Sequence, residues 1–511
     1  MKKSLFFVCT AVVLAFMAVA CQKDQLNVAG TDATVCDVDQ KGYLVSYNLA
    51  STKSLEETEA AILAETPEEY FPQIQELFKG FLTGAQWQMR TYTFNYNSVA
   101  GDGSPAVLTG QVSFVCDGTG KIVRKLRSVS LYHIMFNVNQ NTTFMQASMP
   151  TLRALHHALV VIPLFQGAAS DAPCYGAVKG HPILVAEPLA KARQAVDCEL
   201  AAIELLDKLD CAVTLKDDYY TENMGISNGA AIALATQFYL ENKAKAPVSE
   251  KIRLRGTFCG AGCYDFSSML TQALSLTDLS GYSDAVAAMI PYAIMGTVIS
   301  AYADNKKDFG KAKLTDYFSD ECVNGVFNEG VNHAGEPYNI LKHFWEGDIQ
   351  MNYMDYADLT EEEMAFMESM MTMPMNSEEI VMPYIASVYE NVIDDYTYRK
   401  IFNEKLYVGK DLENGELDVN GDLFKKLMKA TAHSDMLKLD WHPASPLRIS
   451  HSTDDDFLPY DTAYALYGKL SNNGNNKNVS FKTLRGLDHS NSASVLLMLN
   501  VGILEHPCPL D

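Results

Sequence analysis

The chain has 511 residues, close to half of them apolar (48%), and a formal charge of −23. So acidic a chain, with no basic stripe anywhere along it, is a poor candidate for binding nucleic acid. Its apolar fraction is ample for a sizeable core, either in one large α/β domain with an insertion or in two to three domains.

Met1-Lys2-Lys3 is a positive start, Leu5 to Val19 is apolar, and Ala18-Val19-Ala20-Cys21 leads into the polar run Gln22-Lys23-Asp24-Gln25. That pattern is a secretory signal over 1–21, and its ending in cysteine resembles a bacterial lipoprotein signal. The resemblance implies a lipid on Cys21 and anchoring to the outer membrane, on its periplasmic or its cell-surface face. Beyond Cys9 and Cys21 nine cysteines remain, an odd number that leaves at least one unpaired in an exported protein. Core packing accounts best for most of them.

Residues 22–83 begin polar and become acidic and helical, a tether followed by a helical segment with a capped start near Ser54-Leu55-Glu56-Glu57. From residue 84 strands and helices alternate. Thr91–Tyr96 and Ala106–Cys116, joined by a Gly-Asp-Gly-Ser-Pro turn, read as a hairpin, and Ser128–His133 as a third strand. Ala158–Pro163 is a continuous apolar run, the mark of a strand buried on both faces. An amphipathic helix is expected over Pro188–Asp210 and a further strand over Ile252–Phe258. Strands alternating with helices imply a mostly parallel sheet flanked by helices.

Over 276–440 the pattern breaks into a methionine-rich, acidic, helical stretch with no confident strand. Ala285–Ala303 carries no charge, yet Pro291, Gly296 and its hydroxyls make it only moderately apolar, so a buried helix fits better than a membrane span. Met351–Met382 interleaves methionines with Glu361, Glu362, Glu363 and Glu368. It reads either as ordinary core helices or as an adaptable apolar surface. Asp418-Val419-Asn420-Gly421-Asp422 lacks the glycine and closing glutamate of a calcium loop and is rejected as one. The sheet resumes at Pro446–His451, followed by a helix through Tyr464 and Leu470, a strand at Val479–Phe481 and a final helix over Ser494–Leu504.

Three places carry chemistry. Gly225-Ile226-Ser227-Asn228-Gly229 reads G-x-S-x-G ahead of an alanine-rich helical run, the form of a nucleophile elbow. Side chains beside the serine would collide in so sharp a turn, which favours glycine on both sides. An acidic loop, Asp454-Asp455-Asp456, follows one late strand, and His489 follows the next. Serine, acid and histidine in that chain order, at strand ends, are the arrangement of the α/β-hydrolase fold. The Ser227 hydroxyl needs a neutral imidazole to take its proton and a carboxylate to orient that imidazole. The stretch from His451 to Pro459 resembles the hydrolase pattern H-G-x-x-D-x-x-V-P, whose register places the acid at Asp455. Asp454 and Asp456 are fallbacks, otherwise solvated or capping the next helix, and His451 is a strand-end residue rather than the base. His133, His156 and His157 read as structural.

From about residue 84 onward the chain resembles the secretory lipase family, typified by fungal lipase A enzymes. The elbow, Gly260-Ala261-Gly262-Cys263-Tyr264-Asp265, Trp441-His442-Pro443 and the two late loops carry the likeness. The resemblance implies a hydrolase core over 84–275 and 441–511, interrupted by a large helical cap over 276–440. It also implies an oxyanion hole of two backbone amides, those of Asn228 and Asn137, the latter from the loose match of Tyr132–Asn137 to Y-Q-x-x-Y-D. His133, Asn137, the longer cap and Leu164-Phe165-Gln166-Gly167 depart from the family pattern. The expected activity is cleavage of carboxylic esters with apolar acyl groups, without metal or cofactor. A serine peptidase on the same fold and a non-catalytic binding lipoprotein are the alternatives.

Overall fold

The computed structural model describes residues 42–64, 71–79, 86–101, 105–133, 152–164, 187–244, 248–277, 284–319, 398–412 and 414–489, with isolated positions 103, 279, 282, 492, 495 and 496. Cys21, Asn137, the Met351–Met382 run and nearly all of the expected last helix lie outside them.

Among the described residues nine strands build one sheet: β1 (Leu44–Ser54), β2 (Trp87–Val99), β3 (Pro105–Asp117), β4 (Arg124–His133), β5 (Ala158–Leu164), β6 (Val213–Ile226), β7 (Leu254–Gly260), β8 (Leu447–Ser452) and β9 (Val479–Leu484). Their order is β1-β2-β3-β5-β4-β6-β7-β8-β9. The first three strands and the β3–β5 pair are antiparallel, and every pairing from β5 through β4 to β9 is parallel. The helices beside the sheet are α1 (Leu55–Ala64), α2 (Phe71–Lys79), α3 (Pro188–Lys208), α4 (Asn228–Asn242) and, further on, α8 (Tyr460–Leu470).

Period-two alternation sends successive side chains of a strand to opposite faces, and in β5 both faces are covered. Leu159 and Val161 join a cluster with Phe94, Phe114, Leu131, Ala195, Leu205 and Ile232, so α3 and α4 cover that face. Val160 and Ile162 join Ile74, Phe78, Val115, Tyr132, Met224 and Phe258 on the other, beneath α1 and α2. Each such side chain contributes roughly 1.5–3 kcal/mol of burial. Continuous apolarity in β5 is thus the consequence of having no wet face.

β1 falls where the sequence predicts a tether. Its Ser, Asn, Thr and Lys content hides a half-buried edge strand that pairs with β2 over its whole length. Its start is fastened from a distance: the amides of Tyr43 and Leu44 both donate to Glu204 Oε2 of α3 at 2.9 Å.

The chain divides into two units, one holding the sheet (residues 1–178, 188–265 and 436–511) and one formed by 179–187 and 266–435. The second contains α5 (Phe266–Ser275), α6 (Asp284–Asp304) and α7 (Asp422–Thr431), with single-turn helices between them. Among its described residues β-structure is limited to two isolated bridges, Phe318–Phe402 and Tyr407–Leu417. Arg399 organises its interior. The guanidinium donates to the carbonyls of Leu276, Ser275 and Gly415 at 2.7–2.9 Å and lies over the Tyr407 ring. Ser267 and Asp435, near its two ends in sequence, are joined by two hydrogen bonds of 2.9 and 2.7 Å. The Asp418 segment is a plain turn closed by its own aspartate. No helix among the described residues is long and apolar enough to cross a membrane.

Candidate active site

β4 connects to β5 on one side of it, and β6 lies on the other, so the carboxyl ends of β4 and β6 flank a topological switch point, where open α/β sheets bind ligands. Ser227 comes directly after β6 at this point. Its backbone has φ 56° and ψ −127°, a conformation that costs a non-glycine residue of order 1–3 kcal/mol. The surroundings over-determine it. Its amide donates to the Gly260 carbonyl at 2.9 Å and its carbonyl accepts from Ala230 at 3.0 Å. The next helix, α4, is buried at Asn228–Phe238. Both flanking glycines are required by close approach. A Cβ on Gly225 would lie 1.9 Å from the Gly229 carbonyl oxygen, and one on Gly229 would lie 2.2 Å from that of His133. Those contacts are backbone on backbone and cannot give way.

Behind the elbow is a polar brace. Asn223 of β6 donates through Nδ2 to the Ala233 carbonyl (2.7 Å) and to Thr257 Oγ1 (3.1 Å), which turns its oxygen towards His133. His133 Nε2 therefore donates to it, at 2.7 Å. Burial pushes the His133 imidazole down to about 4, so it is neutral and structural, as its place in the sequence implies. His156 and His157 precede β5, at the sheet end opposite Ser227.

Ser227 Oγ lies 3.0 Å from His489 Nε2, and His489 Nδ1 donates to Asp455 Oδ2 at 2.9 Å. All three side chains are buried, that of Asp455 completely. Asp455 Oδ1 accepts the amides of Phe457 (3.0 Å) and Leu458 (2.7 Å). Burial alone would raise the Asp455 carboxyl, but the imidazoles of His451 and His489 beside it outweigh that and hold the group well below the usual carboxylate range. A permanent anion beside Nδ1–H fixes the tautomer that leaves Nε2 free to accept the serine proton.

Asp454 is exposed, as expected, and Asp456 is partly so, but neither caps the next helix. Asp454 Oδ2 accepts the Gly486 amide (2.7 Å) and Asp456 Oδ1 accepts the His489 amide (3.1 Å). α8 begins at Pro459 without a side-chain cap. Each of the three carboxylates thus acts on the histidine loop, two through its backbone and one through the imidazole. Phe457 adds an aromatic edge against the His489 ring, with centroids 5.2 Å apart. Neither this contact nor the proximity of His451 to Asp455 is visible in the sequence. Their only trace there is spacing, i and i+4 for the His451–Asp455 pair. Trp441 and the loop behind it are tied to α4 by three hydrogen bonds to Glu241, each of 2.9 Å.

Asn228, nominated for the oxyanion hole, opens α4 with its amide at the positive end of the helix. Asn137 lies beyond the described end of β4, four residues after His133. Cys116, Cys198, Cys211, Cys259 and Cys263 are buried, consistent with packing; the remaining four candidates lie outside the described residues.

No family model matches the sequence, and no curated protein does. Solved structures are similar. A putative hydrolase from Legionella pneumophila aligns over 91% of this chain and 100% of its own at 14% identity and a TM-score of 0.55. The rice cell wall degrading esterase LipA from Xanthomonas oryzae aligns over 90% and 95%, again at 14% identity and 0.55. Candida antarctica lipase A in its closed state is more remote, at 10% identity and a TM-score of 0.45. The chain has an α/β-hydrolase fold, a mostly parallel nine-stranded sheet flanked by helices.

Proposed function

We propose that this protein is a serine hydrolase that cleaves carboxylic esters, a lipase A-like enzyme exported and anchored through a lipid on Cys21. The observation that carries the reading is the unbroken relay from Ser227 Oγ through His489 to Asp455, at 3.0 and 2.9 Å. In it Ser227 attacks the ester carbonyl while His489 Nε2 takes its proton. The amides of Asn228 and Asn137 hold the tetrahedral oxyanion, and His489 then gives the proton to the departing alcohol. Water repeats the sequence in reverse roles and frees the acid. Residues 276–440 form the cap in this reading and select the acyl group. The named relatives, an esterase and a putative hydrolase of the same fold, support the class of bond.

The test is turnover of p-nitrophenyl esters of short and long acyl chains, beside aminoacyl amides, by the purified chain and by Ser227→Ala. The variant should lose on the order of 10⁴- to 10⁶-fold in kcat on esters. Equal turnover by the variant would sink the proposal, and amide cleavage without ester cleavage would make the enzyme a peptidase.

A further inference from the structure

His451 ends in the site without being one of the three residues of the relay. It lies in β8, is completely buried, and its Nε2 is 2.9 Å from the Leu458 carbonyl oxygen and 3.3 Å from Asp455 Oδ2. A carbonyl oxygen can only accept, so Nε2 carries a hydrogen, which it gives to Leu458 with Asp455 Oδ2 beside it. Nδ1 has no hydrogen-bond partner among the described residues. Asp455 is therefore held on both edges. Oδ1 takes two amides of its own loop, and Oδ2 takes one imidazole from His489 and faces a second from His451. Of these partners His489 is the one whose charge changes in the proposed catalytic cycle, whereas the two amides and His451 stay as they are.

We infer that His451 is a positioning residue of the reaction: its Nε2–H holds Asp455 Oδ2 in line with His489 Nδ1 and withdraws part of the charge that His489 feels. The inference rests on the reading of Ser227, His489 and Asp455 as a hydrolytic relay. Two consequences separate it from mere packing. Without the donor the carboxylate loses its fixed plane, and kcat falls while KM stays. Oδ2 also becomes the stronger acceptor for His489, whose imidazolium is then better stabilised, so the acid-side limb of the kcat/KM profile moves to higher pH. The groups facing His489 are Asp455 and Asp456 from the acid loop and Ser227 from the elbow, with Asp488 beside it in the chain. Tyr460 packs edge-on against His451.

The experiment compares pH profiles of ester turnover for the full chain, His451→Met and His451→Gln. Methionine fills similar space without an N–H, whereas the glutamine amide places a donor where Nε2 stands. His451→Met should lose about 10- to 100-fold in kcat, by analogy with the loss when a group orienting a metal-bound histidine is removed, with its acid limb raised by about half a pH unit or more. His451→Gln should restore both. If His451→Met does not fold, His451→Asn, whose amide stops short of Oδ2, should show the same raised limb. A folded His451→Met with the parent's acid limb, or equal losses in Met and Gln, would overturn the inference and leave the relay standing. Absence of Ser227-dependent turnover in the parent would overturn both.

Discussion

Asp455 and Glu199 are both carboxyls sealed from water in the unit that holds the sheet, yet one ends as an anion and the other as a neutral acid. Asp455 receives two amides and the Nδ1–H of His489, with the Nε2–H of His451 close by, and it stays an anion. Glu199, on α3 behind β6, receives one hydroxyl, that of Thr221, while its Oε2 has no partner among the described residues. Burial pushes it up to about 8, with the Thr221 bond opposing too weakly to matter. The same loss of solvent acts on both. What differs is how many donors the backbone brings, and a turn between strand and helix brings more than the face of a helix can.

The two groups also slope in opposite directions with pH. Asp455, held below its ordinary 3.8, contributes stability that is present above that value and lost as pH falls towards its folded pKa. Glu199, raised from 4.5 to about 8, contributes fully below 4.5 and progressively less as pH rises through the interval.

The sharpest way to break the contrast is Asp455→Asn. The Phe457 and Leu458 amides require an oxygen at Oδ1, which leaves the new NH₂ facing two imidazole N–H groups. His489 must then adopt the tautomer with its hydrogen on Nε2, unable to accept from Ser227. kcat should fall by about 10³- to 10⁴-fold with the fold retained, and a loss under tenfold would show that Asp455 is not the acid. A gentler change is Glu199→Gln. At pH 4.5 it should leave stability near the parent's, and at pH 8 it should stabilise by an increment of up to a few kcal/mol, read as the pH dependence of denaturant midpoints. Ester turnover should be unchanged. An identical shift at both pH values would mean that Glu199 is not neutral in the folded protein.

Much of this is legible in the residues. Strand patterns mark β2 to β5 and β7 to β9, and glycine at 225 and 229 announces a turn with no room for a Cβ. The order Ser227, Asp455, His489 names side chains that the fold brings within 3.0 Å of one another in sequence of transfer. What stays hidden depends on contacts across long chain distances. β1 is polar because it is an edge, so its pairing with β2 leaves no apolar signature. Three consecutive aspartates look alike in a sequence, and their separate tasks arise from a loop 32 to 34 residues further on. His451 reads as no more than the end of a strand, because nothing local says that its Nε2 meets a carboxylate four residues later.

The central claim is that Ser227 is the nucleophile, and a fluorophosphonate tests it without assuming a substrate. The purified chain should take up one equivalent, the adduct should map by mass to the peptide containing Ser227, and Ser227→Ala should take up none. An unlabelled parent, or a label carried by another residue, would contradict the account.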